Sequence, residues 1–154
     1  MEKKKRKTFV FKALGFPIKL INAPMKKILG EWCIDIDMNK LMRVTLLALV
    51  HKPTALVGNE LGFIRSYLKM TTTEFGKIFG VTHSAVLKWE SNENQISPAL
   101  DKCIRLHIFD HLCAKDKEFR ALYQELSLAQ IAKREKGKIH PIRIDAQEDL
   151  KIAL

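Results

Sequence analysis

The sequence predicts an α+β protein: a small N-terminal β-rich module and linker helix, then an all-α domain built around two short helices and a tight turn. Three observations carry that prediction. Between Thr8 and Ile36, apolar and polar residues alternate in short runs, the period of half-buried strands. Beyond residue 37, apolar residues recur three and four apart, the period of helices. Within that second region, residues 71–90, TTTEFGKIFGVTHSAVLKWE, set a helix start, a glycine and another helix start at close intervals.

The chain opens on KKKRK at residues 3–7, a run whose like charges favour a solvated arm in the free protein. The strand candidates TFVFKAL, FPIKLI and MKKILGEWCIDI follow, broken by Gly15-Phe16-Pro17 and Asn22-Ala23-Pro24. Pro17 and Pro24 favour edges or strand starts, since proline cannot donate to a sheet ladder. Asp35 or Asp37 then caps a helix running to about His51, with Leu41, Val44, Leu47 and Ala48 inward, and Pro53 ends it. Residues 51–58 read as a hinge or short linker. Leu61, Ile64 and Leu68 mark an amphipathic helix that also carries Arg65.

In residues 71–90, Thr71 or Thr72 is positioned to accept a free helix-start N–H. Phe75, Ile78 and Phe79 repeat on one face of that helix. Gly80 closes it, because glycine reaches the left-handed conformation of a C-terminal cap without a Cβ clash. Val81 plugs the corner and Thr82 caps the next helix. There Val86 and Trp89 point inward, which leaves His83, Ser84, Leu87 and Lys88 outward. This is the layout of a helix-turn-helix, whose second helix enters a major groove.

After the polar loop SNENQ, Ser97-Pro98 starts a helix with Leu100, Ile104, Ile108 and Leu112 on one face. A further helix begins near Asp116 and includes Phe119, Leu122 and Leu126. SLAQIAKREKGK reads as another helix ending at Gly137; Ile142 to Ile144 is a strand candidate ahead of a polar tail. The expected division is 1–57 (basic arm, β-rich module, linker helix), 58–126 (helix-turn-helix domain) and 127–154 (C-terminal helix and tail).

Composition narrows the function classes. The 47% hydrophobic and 29% charged content describes a globular chain. No apolar run approaches the ~18 residues of a membrane span, and no continuous apolar stretch follows KKKRK to make a secretory signal. Cys33, Cys103 and Cys113 are isolated and odd in number, the pattern of reduced thiols in a cytoplasmic protein; Cys103 and Cys113 are expected in a helix core. Residues 1–57 hold twelve Lys/Arg against four Asp/Glu, whereas residues 58–126 hold nine of each. A net charge of +10 therefore points to a polyanionic partner, with the surplus lying ahead of the helical domain. His107 and His111 are i, i+4, but no acidic residue completes an HExxH set. No nucleophile–base–acid constellation, carboxylate pair or phosphate loop appears, so no enzyme, no metal and no cofactor is expected.

Several fixed offsets coincide: Thr-Glu-Phe opening the first helix, Phe-Gly-Val-Thr at the corner, and Val-Leu-Lys-Trp-Glu closing the second. With them, residues 58–112 resemble a lambda-repressor/Cro-like (XRE-type) helix-turn-helix domain. The resemblance implies that His83, Ser84, Leu87 and Lys88 contact bases, with Leu87 or Ala85 against a thymine methyl. Thr72, Thr82, Asn92 and Asn94 would contact phosphates. Arg65 and Glu90 match a structural ion pair joining the preceding helix to the end of the recognition helix. Residues 16–57 resemble the zinc module of MqsA-like antitoxins through Pro24 and Gly30-Glu31, but Lys26 and Leu29 stand at its cysteine positions. A tetrahedral structural zinc needs four Cys/His ligands, and residues 1–57 offer only Cys33 and His51.

The leading expectation is a sequence-specific repressor that binds a double-stranded DNA operator as a homodimer. In that reading it is the antitoxin of a toxin–antitoxin operon, with a protein toxin as partner. A freestanding phage-like regulator is a second reading. A protein- or RNA-interaction module using the basic arm is a third.

Overall fold

The computed structural model describes residues 5–112, 116–125 and 141–152 as a mixed α/β protein with a four-stranded sheet. The chain divides into two compact units, residues 1–48 with 140–154, and residues 49–139. The C-terminal segment thus joins the N-terminal unit. Lys3, Lys4, Cys113, Leu126, His140 and the helix expected from residue 127 to Gly137 lie outside the described residues. Among the described residues, no helix is long and apolar enough to cross a membrane.

The first unit is organised on one long strand. β1 (Lys5–Phe11) pairs antiparallel with β2 (Ile18–Ile28), which turns into β3 (Glu31–Ile34). β4 (Ile142–Asp145) pairs parallel with the start of β2, Ile18 opposite Ile142, and the short helix α7 (Asp149–Ile152) follows. Ile18 and Leu20, at the strand period of two, are buried with Ile144, and Ala23 returns to the same buried face after the irregularity at Asn22. Two sequence expectations fail here. Lys5–Lys7 form the start of β1 instead of a free arm, and Arg6 donates to the Asn22 carbonyl at 2.9 Å. Asn22-Ala23-Pro24 also does not break the strand. β2 absorbs it as an irregularity, with Asn22 at φ 55 and a register shift between Lys7 and Phe9. A bulge of this kind tolerates a proline inside a sheet, and the Pro24 carbonyl still accepts from Asp35 N–H at 2.8 Å. The β2–β3 turn places Leu29 at φ 49 and Gly30 at φ 86, the left-handed pair of a two-residue hairpin.

Helix α1 (Met38–Val50) starts at Asp37, whose carboxylate accepts from Asn39 N–H at 2.9 Å. Leu41 and Val44 are buried as expected, but Leu47 is exposed while Thr45, Leu46, Leu49 and Val50 are buried. The run VTLLALV is apolar almost throughout, so its period could not select the face. The Thr45 hydroxyl is satisfied by the Leu41 carbonyl at 2.8 Å.

The second unit contains α2 (Gly58–Tyr67), α3 (Thr72–Phe79), α4 (His83–Glu90), α5 (Pro98–His111) and α6 (Asp116–Glu125). Ser97 Oγ accepts from Leu100 N–H at 3.2 Å, and Pro98 occupies the first turn of α5, where its missing N–H costs nothing. Ile104 and Ile108 are fully buried; Cys103, expected in the core, is exposed. Ile78, also expected inward, is exposed, whereas Phe75 is buried with its ring 4.9 Å from that of Phe79.

The segment expected to act as a hinge is tied down. Arg105, fully buried, donates to the carbonyls of Val50, Lys52 and Thr54 and pairs with buried Asp101 at 2.6 Å. Asp101 also accepts from Leu56 N–H at 2.8 Å. Lys52 adds an ion pair with Glu60 at 2.6 Å, both side chains mostly covered. Buried backbone polar groups need partners, and this arrangement supplies them across residues 50–57.

Candidate nucleic-acid interface

The geometry of α4 follows from what holds it at each end. At its start, Thr82 Oγ1 accepts from Ala85 N–H at 3.2 Å. The turn before it begins at Gly80, left-handed at φ 70 and ψ 30. Gly76 lies directly beneath that turn, where a Cβ would come 2.6 Å from the Val81 carbonyl. A glycine inside a helix costs roughly 0.5–1 kcal/mol relative to alanine; here the backbone approach requires it.

At the far end, α2 grips α4 at three points. Gly58 abuts the carbonyls of Trp89 and Glu90 so closely that it has no room for a Cβ. Gly58 N–H donates to Asn92 Oδ1 at 2.8 Å, so a residue from the loop after α4 caps the start of α2. Arg65 reaches Glu90 through two bonds, Nε–Oε1 at 2.5 Å and Nη2–Oε2 at 3.2 Å, and donates a third to the Met70 carbonyl at 3.0 Å. The hydrogen bonds that Arg65 donates to Glu90 raise the Arg65 pKa above its ordinary value; burial opposes that rise and the Glu90 charge adds to it. Arg65 therefore stays a cation, held on Glu90 by two hydrogen bonds.

The inner face of α4 is fixed by Val86 and Trp89, both buried. The side chains of His83, Ser84, Leu87 and Lys88 are exposed. At about 100° per residue these four span an arc of about 140° on the opposite side. The result is a short, clamped helix presenting two donors or acceptors, one cation and one apolar surface.

The other sequence-singled residues fall in different places. Thr71, not Thr72, caps α3: its Oγ1 accepts from Glu74 N–H at 3.1 Å, and Glu74 accepts from Thr71 N–H at 3.2 Å. Thr72 is the first helical residue. The Glu74 carboxylate already occupies this helix start, which makes it less receptive to a phosphate than the start of α4, whose first turn holds no acidic residue. The Asn92 oxygen is spent on Gly58, leaving its amide as the free donor group. Asn94 is exposed, and its N–H donates to the Lys88 carbonyl at 3.1 Å. His107 packs edge-on against Phe79, and His111 against Tyr67. Among the described residues, no group of three potential metal ligands forms.

Sequence reasoning missed Gly58 and Gly76 as close approaches, and Asn92 as a remote cap. Gly76 carried a signal, being a glycine inside an otherwise good helix. Gly58 and Asn92 carried none, because their partners lie more than thirty residues away.

No family model, curated protein or solved structure matches this chain.

Proposed function

We propose that the chain is a sequence-specific DNA-binding protein that represses transcription from its operator, with α3 and α4 as its helix-turn-helix and α4 as the recognition helix. The observation that carries this reading is the clamped α4 with His83, Ser84, Leu87 and Lys88 on its solvent face. A helix fixed from behind can hold side chains at set positions against base edges. Lys88 suits guanine O6 and N7, Ser84 several bases, and Leu87 a thymine methyl. Thr82 and the amide of Asn92 flank the helix as phosphate partners, with Asn94 beside them. A few base contacts from one short helix bind weakly, so the active species is a homodimer with two recognition helices about 34 Å apart.

We extend the proposal to an antitoxin that represses its own operon. The support is the resemblance of residues 16–57 together with the two-unit construction, which sets a sheet-bearing unit apart from the unit that carries α3 and α4.

Gel-shift titrations against single-base operator variants test the recognition face. Lys88→Ala and Ser84→Ala should each change which base is preferred at one position, by ~1–3 kcal/mol. Thr82→Ala should weaken binding evenly, since phosphates carry no sequence information. Uniform weakening by all three would remove α4 as the reading element.

A further inference from the structure

The open end of the sheet carries a group of cations. Lys5 stands opposite Met25, Lys7 opposite Ala23, and Lys27 opposite Trp32. Directly opposed residues share a face, as do residues two apart on one strand. Lys5, Lys7, Lys27 and Trp32 therefore lie on one face, continuous with the buried row Ile18, Leu20 and Ala23. All four are exposed. Lys5 Nζ lies 4.9 Å from the centre of the Trp32 ring, within cation–π range. Among the described residues, the ion pair at this end is Lys26–Asp35, 3.5 Å apart, and Lys26 alternates to the other face.

Lysines on an edge strand often serve to block sheet-to-sheet aggregation. That explanation suits Lys5 and Lys7 on β1. It does not cover Lys27, which lies on β2 opposite Trp32 of β3, two residues beyond the last described β1–β2 pair, Lys5–Met25. We propose that this face binds the phosphate backbone of duplex DNA, as a sequence-independent contact separate from α4. Three ammonium groups without a carboxylate partner among the described residues complement a polyanion, and lysine is depleted from protein–protein interfaces. Trp32 serves as the rigid platform that holds Lys5 in place. The proposal rests on the DNA-binding reading only in taking the same duplex as ligand.

The test uses the full chain, a labelled duplex and a salt series. The variants are Lys5→Gln/Lys7→Gln/Lys27→Gln, Lys27→Gln alone, and Lys88→Ala. Removing one lysine–phosphate interaction lowers the slope of log K against log salt by ~0.9. The slope should therefore fall by up to about 2.7 in the triple variant and about 0.9 in the single variant, both keeping wild-type sequence preference. Wild-type fluorescence should also change on binding through Trp32, and Trp32→Phe should remove that change. An unchanged slope in both glutamine variants overturns the proposal, and an acidic toxin surface is then the better occupant; α4 recognition survives if Lys88→Ala still alters preference. A reduced slope in a protein with no sequence preference supports this face and removes the recognition reading. Absence of duplex binding by the wild type overturns both. Substitution is used because deleting residues 5–7 would remove the Lys5–Met25, Arg6–Pro24 and Lys7–Ala23 pairs of the β1–β2 ladder.

Discussion

Arg105→Met should destabilise the helical unit by about 3–5 kcal/mol, the cost of leaving one member of a buried ion pair without its partner. The substitution strands the Asp101 carboxylate, which is fully buried. It also strips the carbonyls of Val50, Lys52 and Thr54 of a donor. Asp101→Asn/Arg105→Met should be less destabilised than Arg105→Met alone. The asparagine oxygen can still accept from Leu56 N–H, and no charge is left buried at positions 101 and 105. Urea unfolding followed by the emission of buried Trp89 measures the difference as a shift in midpoint. Equal midpoints for the single and double variants would mean that the stranded charge is not what costs stability.

Gly58→Ala and Gly62→Ala should move stability in opposite directions, although both add one methyl to the same helix. At Gly58 the new Cβ would meet the Glu90 carbonyl, with the Trp89 carbonyl at 2.7 Å and Asn92 Oδ1 at 2.8 Å. These are mostly backbone atoms that cannot swing aside, so the helices must separate, at a cost of about 1–3 kcal/mol. At Gly62 the nearest atoms belong to the Glu90 side chain, 3.8 and 3.9 Å away, which is ordinary contact. Gly62→Ala should therefore gain roughly 0.5–1 kcal/mol from helix propensity and reduced chain entropy. On the proposed reading of α4, Gly58→Ala should also weaken DNA binding beyond its loss of stability, because it displaces the end of α4. Thermal unfolding of the two variants side by side decides this; two losses or two gains would refute the close-approach argument.

Local rules make much of this fold legible. The Ser97-Pro98 start, the Gly80 cap and the Val86/Trp89 inner face each depend on residues a few positions apart, and each is present. The same locality explains the failures. Lys5–Lys7 read as part of a free arm because their partner strand is more than ten residues downstream. Spacing puts Leu47 and Ile78 inward because it cannot tell which of two apolar faces a neighbour will cover. Residues 51–57 read as a linker because Pro53 and Gly58 mark loop chemistry, while the buried Asp101–Arg105 pair that fixes them lies some fifty residues away. In the candidate site, the outward set on α4 is readable from period alone. The clamp behind it is readable only at Arg65–Glu90, where the XRE-type resemblance supplies the pairing.

The most direct measurement of sequence-specific DNA recognition is selection of bound duplexes from a randomised pool by the full chain, repeated with Ser84→Ala and Lys88→Ala. The expected result is an enriched two-fold-symmetric motif, its half-sites about one helical turn apart, with altered bases in the motifs selected by the two variants. A pool that yields no motif, or one motif shared by the wild type and both variants, would contradict the assignment of α4 as the reading element.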